Sequence, residues 1–172
     1  MEWFYFYAEG VDTPGVSPRE FHFARRCIYY VYMNLKIVKH ADVPMPKYAN
    51  ATDAGLDLHA AEELVIEPGQ RVLVGTGLKM EFPDGYAGLI WDRSGISTKH
   101  GISTLAGVID AGYRGEIRVA LINLGQEPFT VEKHMRIAQM LFQCVERAEI
   151  ELVDALGETA RGDGGFGSSG LK

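Results

Sequence analysis

Two segments of the chain combine residue types that bind phosphate. Asp92–Ser97 (DRSGIS) presents a guanidinium group, a hydroxyl group and a glycine backbone directly after an apolar run. Arg161–Gly170 (RGDGGFGSSG) adds an arginine, an aromatic ring and two hydroxyl groups on a glycine-rich backbone whose N–H groups can approach a ligand closely. Each segment alone also has a simpler explanation, a helix-capping turn for the first and a solvated tail for the second.

Two further segments offer carboxylates that could take part in catalysis. Ala106–Ile117 (AGVIDAGYRGEI) is predicted to form a β-hairpin with Asp110 and Tyr113 at its tip. An aspartate in a turn commonly only shapes the turn, but a carboxylate at the mouth of a rigid hairpin can also act as a general base on a water molecule. Asp53–Ala60 (DAGLDLHA) contributes Asp57, for which capping or turn formation is the simpler role.

Several other kinds of site are excluded or disfavoured. The five histidines lack the HExxH spacing of a zinc site, so no tight metal cage is expected. The glycine-rich segment lacks the GK[ST] ending of a nucleoside-triphosphatase P-loop, so that fold is not indicated. Two cysteines, Cys27 and Cys144, cannot build a disulfide framework, which fits a reduced, cytoplasmic setting. The net charge of −6 argues against a nucleic-acid or membrane partner and leaves a small anionic ligand possible.

The elements that must position these residues are predicted to be β-strands. Short apolar stretches alternate with turn signals about 8 to 15 residues apart, which is typical of an all-β sandwich or barrel. Residues 132–147 are ambiguous, because they are rich in good helix formers. The best strand candidates are Arg71–Val74, Tyr86–Trp91, Glu116–Ile122 and Glu149–Val153.

The composition divides the chain into three parts. Residues 1–32 hold ten of the eighteen aromatic residues and are expected to be an N-terminal extension, or the product of a misassigned start codon before Met33. Residues 33–156 are expected to form the β domain. Residues 157–172 are predicted to be a flexible, glycine-rich arm.

Taken in order, these segments resemble the signature motifs of the trimeric dUTP pyrophosphatase (dUTPase) family. Asp53–Ala60, Asp92–Ser97 and Ala106–Ile117 resemble its first three motifs, and Arg161–Gly170 resembles its glycine-rich fifth motif. His134–Leu141 (HMRIAQML) resembles the fourth motif, which changes the expectation for this stretch from helix to strand. Five matches in a fixed order, from about residue 33 to residue 170, are far more specific than any one of them.

The resemblance implies a fold, an assembly and a reaction. The expected fold is a distorted β jelly roll, and the expected assembly is a homotrimer in which the C-terminal arm of one subunit closes over a neighbour's active site. The family reaction is hydrolysis of dUTP to dUMP and pyrophosphate, with Mg²⁺ held mainly by the triphosphate and by water. Such an enzyme limits uracil in DNA and supplies dUMP for thymidylate synthesis.

The resemblance also implies roles for the third motif. Asp110 would be the base that deprotonates the water attacking the α-phosphorus. The ring of Tyr113 would pack under the deoxyribose and leave no room for a 2′-hydroxyl group. Backbone groups of Gly107, Val108 and Ile109 would pair with the uracil edge, so that cytosine would leave buried groups unpaired.

The other motifs are implied to hold the triphosphate. Arg93, Ser94 and Gly95 would bind phosphate oxygens through charge-assisted bonds. Gln139 would brace the site, and Asp57 would contact Mg²⁺ through water. The C-terminal arm would supply Arg161, Ser168 and Ser169 for the γ-phosphate, with Phe166 stacked on the uracil beside Gly167.

Three positions depart from the family pattern. Asp92 stands where the family usually has proline, so that an extra carboxylate is expected near the phosphates and a rigid φ angle is lost. Thr104 stands where many bacterial members have asparagine. Arg118 aligns with a variable contact position, and both Thr104 and Arg118 are kept as candidate substrate ligands.

Two alternatives remain open. A dCTP deaminase of the same fold would need a glutamate on the strand after the third motif, where this chain has Ala120. A catalytically silent, nucleotide-binding jelly-roll module is the other alternative, and Asp110 together with the intact arm sequence argues against it.

Overall fold

The computed structural model describes residues 33–40 and 42–165, which form ten strands and one short helix. The N-terminal extension and the end of the predicted arm lie outside the described residues. The elements are β1 (Lys36–Lys39), β2 (Leu56–His59), β3 (Leu64–Ile66), β4 (Arg71–Glu81), β5 (Tyr86–Trp91), α1 (Ser94–His100), β6 (Ile102–Thr104), β7 (Val108–Asp110), β8 (Ile117–Asn123), β9 (Phe129–Val131) and β10 (Arg136–Cys144).

The strands form two four-stranded antiparallel sheets and one two-stranded sheet. Their orders are β1-β4-β8-β6, β2-β10-β5-β7 and β3-β9. Both large sheets contribute to one hydrophobic core, because side chains such as Val74 and Val119 from one sheet and Leu58 and Met140 from the other are fully buried in the same cluster. The all-β architecture is confirmed, and three of the four strand candidates lie in β4, β5 and β8.

Strand β8 illustrates why these residues form a sheet. Buried Ile117, Val119 and Leu121 alternate with more exposed residues, as expected for a strand with one face on the core. The strand ends in Asn123, which is fully buried and donates to the carbonyl oxygens of Ile66 and Glu127, both at 2.8 Å. Its side-chain oxygen also accepts from the Gly125 N–H at 2.8 Å. A buried polar side chain therefore ties the end of β8 to the end of β3 and to the β8–β9 loop.

The fourth-motif stretch is a strand, as the resemblance implies, although its propensity favours a helix. Strand β10 lies between β2 and β5 and pairs with both. Ile137, Ala138 and Met140 are fully buried, so that pairing on both edges and burial in the core outweigh helix propensity.

Two expectations about strands are wrong. Glu149–Val153 forms no strand in the described part of the chain, and its apolar residues Ile150 and Leu152 are 94% and 99% exposed. Ala106–Ile117 is not a β-hairpin, because β7 pairs with β5 in one sheet while β8 pairs with β4 and β6 in the other. The segment crosses from one sheet to the other. Two short strands joined by turn residues give the same sequence pattern in a crossover as in a hairpin, so the pattern alone does not separate them.

The described residues contain no helix long and apolar enough to span a membrane. The one helix, α1, has seven residues and ends at Gly101, whose φ of 70° is left-handed. A Cβ at Gly101 would lie 2.6 Å from the Gly125 backbone nitrogen, so that glycine is required there on both counts.

Replacing Asn123 with alanine is expected to lower the free energy of unfolding by about 2 to 4 kcal/mol, because it leaves two carbonyl groups and one N–H group without their partner. Asn34→Ala, at an exposed position, is the matched control and should change it by less than about 0.5 kcal/mol. Urea-induced unfolding measures both variants. Equal effects in the two variants would show that the buried amide does not tie the end of β8 to its neighbours.

Candidate active site

One cavity is built from the first, second and fourth motif segments. It has a volume of about 370 Å³, and we call it the Arg93 cavity. Loop 49–55, the start of β2, the start of α1 and the middle of β10 surround it. The lining residues are Ala49, Asp53, Ala54, Gly55, Asp57, Arg93, Ser94, Gly95, Gln139 and Leu141.

The charge in the Arg93 cavity centres on a buried carboxylate with two guanidinium partners. Asp57 Oδ1 accepts from Arg93 Nε at 3.1 Å, and its Oδ2 accepts from Arg136 Nη1 at 3.1 Å. Arg93 Nη1 also donates to the Arg136 carbonyl oxygen at 3.4 Å. Two cations on one anion leave one net positive charge beside the cavity, and Asp57 fixes the direction in which Arg93 points.

Arg136 is a member of this cluster that sequence reasoning missed. A register shift between Arg136 and Ala138, where β10 pairs with β2, marks an irregularity at the start of the strand. Such irregularities re-aim side chains. The only sequence signal was a basic residue within the fourth motif, and nothing in its spacing identified Asp57 as its partner.

Ser94 and Gly95 lie at the start of α1, where backbone N–H groups lack partners within the helix. Arg93 occupies the N-cap position, its side chain makes no capping bond, and the first turn contains no acidic residue. The N–H groups of the first turn are therefore suited to an anion in the Arg93 cavity.

Gln139 connects three segments around the Arg93 cavity. Its Nε2 donates to the Asp92 carbonyl oxygen at 2.8 Å, and its side chain lies against Gly55. A Cβ at Gly55 would be 2.1 Å from Gln139 Oε1, so that only glycine allows this approach. The close approach of the Gln139 amide, in the fourth motif, thus explains why position 55 in the first motif is a glycine.

A second cavity, the Asp110 cavity, has a volume of about 300 Å³. Asp110 ends β7, is exposed, and accepts no side-chain hydrogen bond from any residue that the structure describes. Its carboxylate is therefore available to a water molecule. The lining residues are Leu73, Val108, Ile109, Asp110, Tyr113, Glu116 and Arg118.

Tyr113 is fixed at one side of the Asp110 cavity. Its N–H donates to the Asp110 carbonyl oxygen at 3.0 Å, and its hydroxyl group donates to the Glu116 carbonyl oxygen at 3.0 Å. The ring covers Gly115 so closely that a Cβ there would lie 2.3 Å from the Tyr113 hydroxyl oxygen. Close packing and two hydrogen bonds thus hold a half-exposed aromatic ring rigid.

The backbone leading into β7 is held in special conformations. Gly107 has a φ of 132°, and a Cβ there would lie 2.8 Å from the Ile90 carbonyl oxygen. Ala106 has a φ of 62°, which is unusual for a residue with a side chain. Strand β7 is the end strand of its sheet, so one of its edges has no strand partner among the described residues.

The remaining candidate residues lie in three places. Arg118 lines the Asp110 cavity and pairs with Glu116 at 4.0 Å. Arg161 is exposed and donates from Nε to the Gly164 carbonyl oxygen at 2.7 Å, which closes a local turn. Thr104 donates to Asp92 rather than lining either cavity. The other arm residues, Phe166, Gly167, Ser168 and Ser169, lie outside the described residues.

The Asp92 carboxylate points to β6 and not into the Arg93 cavity. Oδ1 accepts from the Thr104 N–H at 2.6 Å and the Thr104 hydroxyl group at 2.7 Å, while Oδ2 accepts from Ser103 Oγ at 3.0 Å. The carboxylate therefore faces β6 and is absent from the lining of the Arg93 cavity. Three donors on β6 outweigh the attraction of neighbouring cations.

The two cavities lie at opposite ends of β5 and share no lining residue. Asp110 is opposite Ala87 near the start of β5, while Arg93 is the second residue after its last one, Trp91. Six residues of extended chain correspond to roughly 20 Å. The carboxylate and the guanidinium group of one chain are therefore too far apart to act on neighbouring phosphates.

A family model described as dUTPase matches residues 41–170. The chain belongs to the dUTPase family. The dUTPases of Clostridium acetobutylicum and Gloeothece citriformis are 48% and 49% identical over 143 and 142 residues, which are 81% of this chain in each case and 99% and 98% of the relative. The Staphylococcus bacteriophage 80alpha dUTPase with dUpNHpp has a TM-score of 0.76 at 29% identity, over 80% of this chain and 99% of that one.

These matches confirm the family predicted from the motifs and the jelly-roll fold. All five motif segments lie within the residues that the family model matches, and four of them border the two cavities. Within the described residues, no three His, Cys, Asp or Glu side chains form a group that could hold a metal ion.

Gly55→Ala is expected to displace Gln139 and break its bond to the Asp92 carbonyl oxygen, because the added methyl group overlaps the amide. The free energy of unfolding should fall by about 1 to 3 kcal/mol. Gly157→Ala adds the same methyl group where no described atom lies within 4 Å. The prediction fails if urea-induced unfolding gives the same value for both variants.

Proposed function

We propose that this chain hydrolyses dUTP to dUMP and pyrophosphate, using Asp110 as the general base. Its relatives carry the name deoxyuridine 5′-triphosphate nucleotidohydrolase. The observation that carries the proposal is the exposed Asp110 carboxylate in a cavity beside the fixed ring of Tyr113. Asp110 takes a proton from water, the water oxygen bonds to the α-phosphorus, and the bond to the oxygen bridging the α- and β-phosphates breaks, which releases pyrophosphate.

Recognition of uracil is assigned to backbone groups of residues 107–109. The unpaired edge of β7 leaves N–H and C=O groups available, and Gly107 permits a close approach. A base bound by fixed donors and acceptors is discriminated strongly, because cytosine would leave a buried group unpaired.

Phosphate binding is assigned to Arg93, Ser94 and Gly95. The Asp57 carboxylate keeps the Arg93 guanidinium oriented, and the first turn of α1 supplies N–H groups. Gln139 braces this loop through the Asp92 carbonyl oxygen. Charge-assisted bonds of this kind hold the leaving pyrophosphate as charge develops on it.

The residues present fit a Mg²⁺ ion that arrives on the triphosphate. Both Asp57 oxygens already accept from guanidinium groups, so this carboxylate suits a hydrogen bond to metal-bound water better than direct coordination. When bound, Mg²⁺ neutralises phosphate charge and favours departure of pyrophosphate. Asp57 and Asp53 are the carboxylates that line the Arg93 cavity and would contact that water.

We also propose a homotrimer with shared active sites. The separation of Asp110 from Arg93 supports it, because a second copy must bring its Arg93 cavity to the first copy's Asp110 cavity. The C-terminal arm, with Arg161, Phe166, Gly167, Ser168 and Ser169, would close over a neighbour's site. Exposed apolar side chains suited to burial between copies are Trp91, Val108, Ile150, Leu152 and Leu156.

The proposed setting is the cytoplasm, where the enzyme would limit uracil in DNA and supply dUMP. The thiol of Cys144 is exposed and forms no disulfide within the part of the chain that the structure describes, which is compatible with a reducing compartment. No nucleic-acid or membrane partner is needed for this activity.

Asp110→Asn is expected to lower kcat by a factor of about 100 or more, because the amide cannot accept the water proton. Binding of dUpNHpp should stay within a few-fold of the original protein, since the shape of the cavity is kept. Asp84→Asn, in the exposed β4–β5 turn, is the control. Pyrophosphate release from dUTP, dCTP and UTP measures hydrolysis, and near-normal turnover in Asp110→Asn would refute the assigned base. Release of ammonia from dCTP, with formation of a uracil nucleotide, would indicate a deaminase.

Gly115→Ala is expected to push the Tyr113 ring out of position, because the added methyl group would overlap the phenol. The ratio of kcat/KM for dUTP to that for UTP should fall about tenfold or more, since the ring is assigned to exclude the 2′-hydroxyl group. Gly112→Ala lies in the same segment, where no described atom is within 4 Å of the new methyl group. Equal ratios in the two variants would remove Tyr113 from sugar selection.

A further inference from the structure

Asp92 makes the densest set of side-chain hydrogen bonds around the β5–α1 loop. Its carboxylate accepts from the Thr104 N–H at 2.6 Å, the Thr104 hydroxyl group at 2.7 Å and the Ser103 hydroxyl group at 3.0 Å. The end of β5 and strand β6 are thus joined by one side chain.

These bonds keep the carboxylate ionised. Burial raises the pKa of Asp92, but hydrogen bonds, chiefly those from Thr104, outweigh it and lower the pKa below its ordinary value. At neutral pH the bonds are therefore charge-assisted and stronger than those to a neutral acceptor.

Asp92 lies between the Arg93 cavity and the segment that leads to the Asp110 cavity. We call these two cavities the half-sites of the chain. The Asp92 backbone carbonyl oxygen accepts from Gln139, and the next residue is Arg93 of the Arg93 cavity. On the other side, Thr104 is the last residue of β6, and three residues later the chain reaches Gly107 and β7. The segment from Leu105 to Gly107 therefore runs between one end held by Asp92 and another held by pairing of β7 with β5.

This segment needs to be held at both ends. Ala106 and Gly107 have positive φ angles of 62° and 132°, and Leu105 is partly exposed, so little packing fixes the loop itself. The Leu105 N–H donates to the Ala120 carbonyl oxygen at 2.9 Å, which continues the β6–β8 pairing by one residue. At the far end of the segment, the Gly107 carbonyl oxygen accepts from the Ile90 N–H at 2.8 Å. At the near end, Thr104 pairs with Leu121 of β8 and is also bound by Asp92, so Asp92 is one of the two anchors of that end.

We propose that Asp92 is a positioning residue for uracil recognition, which acts by holding Thr104 and hence the segment that leads into β7. Asp92 and Thr104 form one unit, because Thr104 supplies two of the donors to the Asp92 carboxylate.

The inference rests on the proposed function and is tested with the full-length protein and dUTP, dCTP and dUpNHpp. Asp92→Ala should raise KM for dUTP about tenfold and lower the ratio of kcat/KM for dUTP to that for dCTP about fivefold or more, because it leaves the Thr104 N–H without its acceptor. The fall in kcat should be smaller than the rise in KM, because Asp92 does not line the Asp110 cavity. Binding of dUpNHpp should weaken in parallel with the rise in KM.

Conservative variants separate positioning from folding. Asp92→Asn keeps one acceptor oxygen for Thr104 and should recover part of the loss. Thr104→Ser keeps both donors and should behave like the original protein, whereas Thr104→Val loses the hydroxyl donor and should show an intermediate loss. Asp84→Ala, an exposed aspartate on the β4–β5 turn, is the matched control and should leave kcat, KM and the ratio unchanged.

The outcomes are distinct. If the original protein does not hydrolyse dUTP, the proposed function fails and not this inference alone. If Asp92→Ala lowers only the unfolding temperature, and its KM and base discrimination measured below that temperature match the original, Asp92 is purely structural and the inference is overturned. If Asp92→Ala does not fold, KM and base discrimination in Asp92→Asn, Thr104→Val and Thr104→Ser decide instead. Asp92→Asn and Thr104→Val should be impaired relative to Thr104→Ser, and equal values in all three would overturn the inference.

Discussion

The antiparallel register of β5 with β7 is the constraint on which the rest of the molecule depends. It places Asp110 beside Ala87 at one end of β5, while the chain leaving the other end supplies Arg93. The separation of the two cavities follows from this arrangement, because the Asp110 cavity is built around the start of the strand and the Arg93 cavity around its end. A single copy of the chain thus holds the proposed base and the proposed phosphate-binding group too far apart to act together.

Each half-site is held by close approaches that only glycine permits. At Gly55 the chain passes against Gln139, which in turn fixes the loop before Arg93. At Gly115 it passes under the Tyr113 ring, which bonds back to Glu116. The high glycine content of the motifs therefore serves packing as much as loop flexibility, and it orients the charged and aromatic groups before a nucleotide arrives.

Local sequence predicted the class of structure better than its connections. Alternation in β8 and the apolar run of β5 identified strands, because each has a face on the core. Propensity alone assigned helix to β10, since burial between two partner strands is a property of the whole sheet. The crossover from β7 to β8 looked like a hairpin because local sequence does not show which sheet each strand joins. Partners of Asp57 and Asp92 come from distant segments, so their residue types were visible and their contacts were not.

Subunit mixing tests the shared site most directly. Asp110→Asn and Arg93→Ala each disable a different half-site, and the two variants are unfolded together and refolded at equal concentrations. If each active site takes its base from one copy and its phosphate group from another, roughly a quarter of the sites in random trimers contain both intact residues. The account predicts that activity on dUTP returns to about that fraction. Activity no higher than that of either variant refolded alone would contradict it, because a site built within one chain always carries a defect.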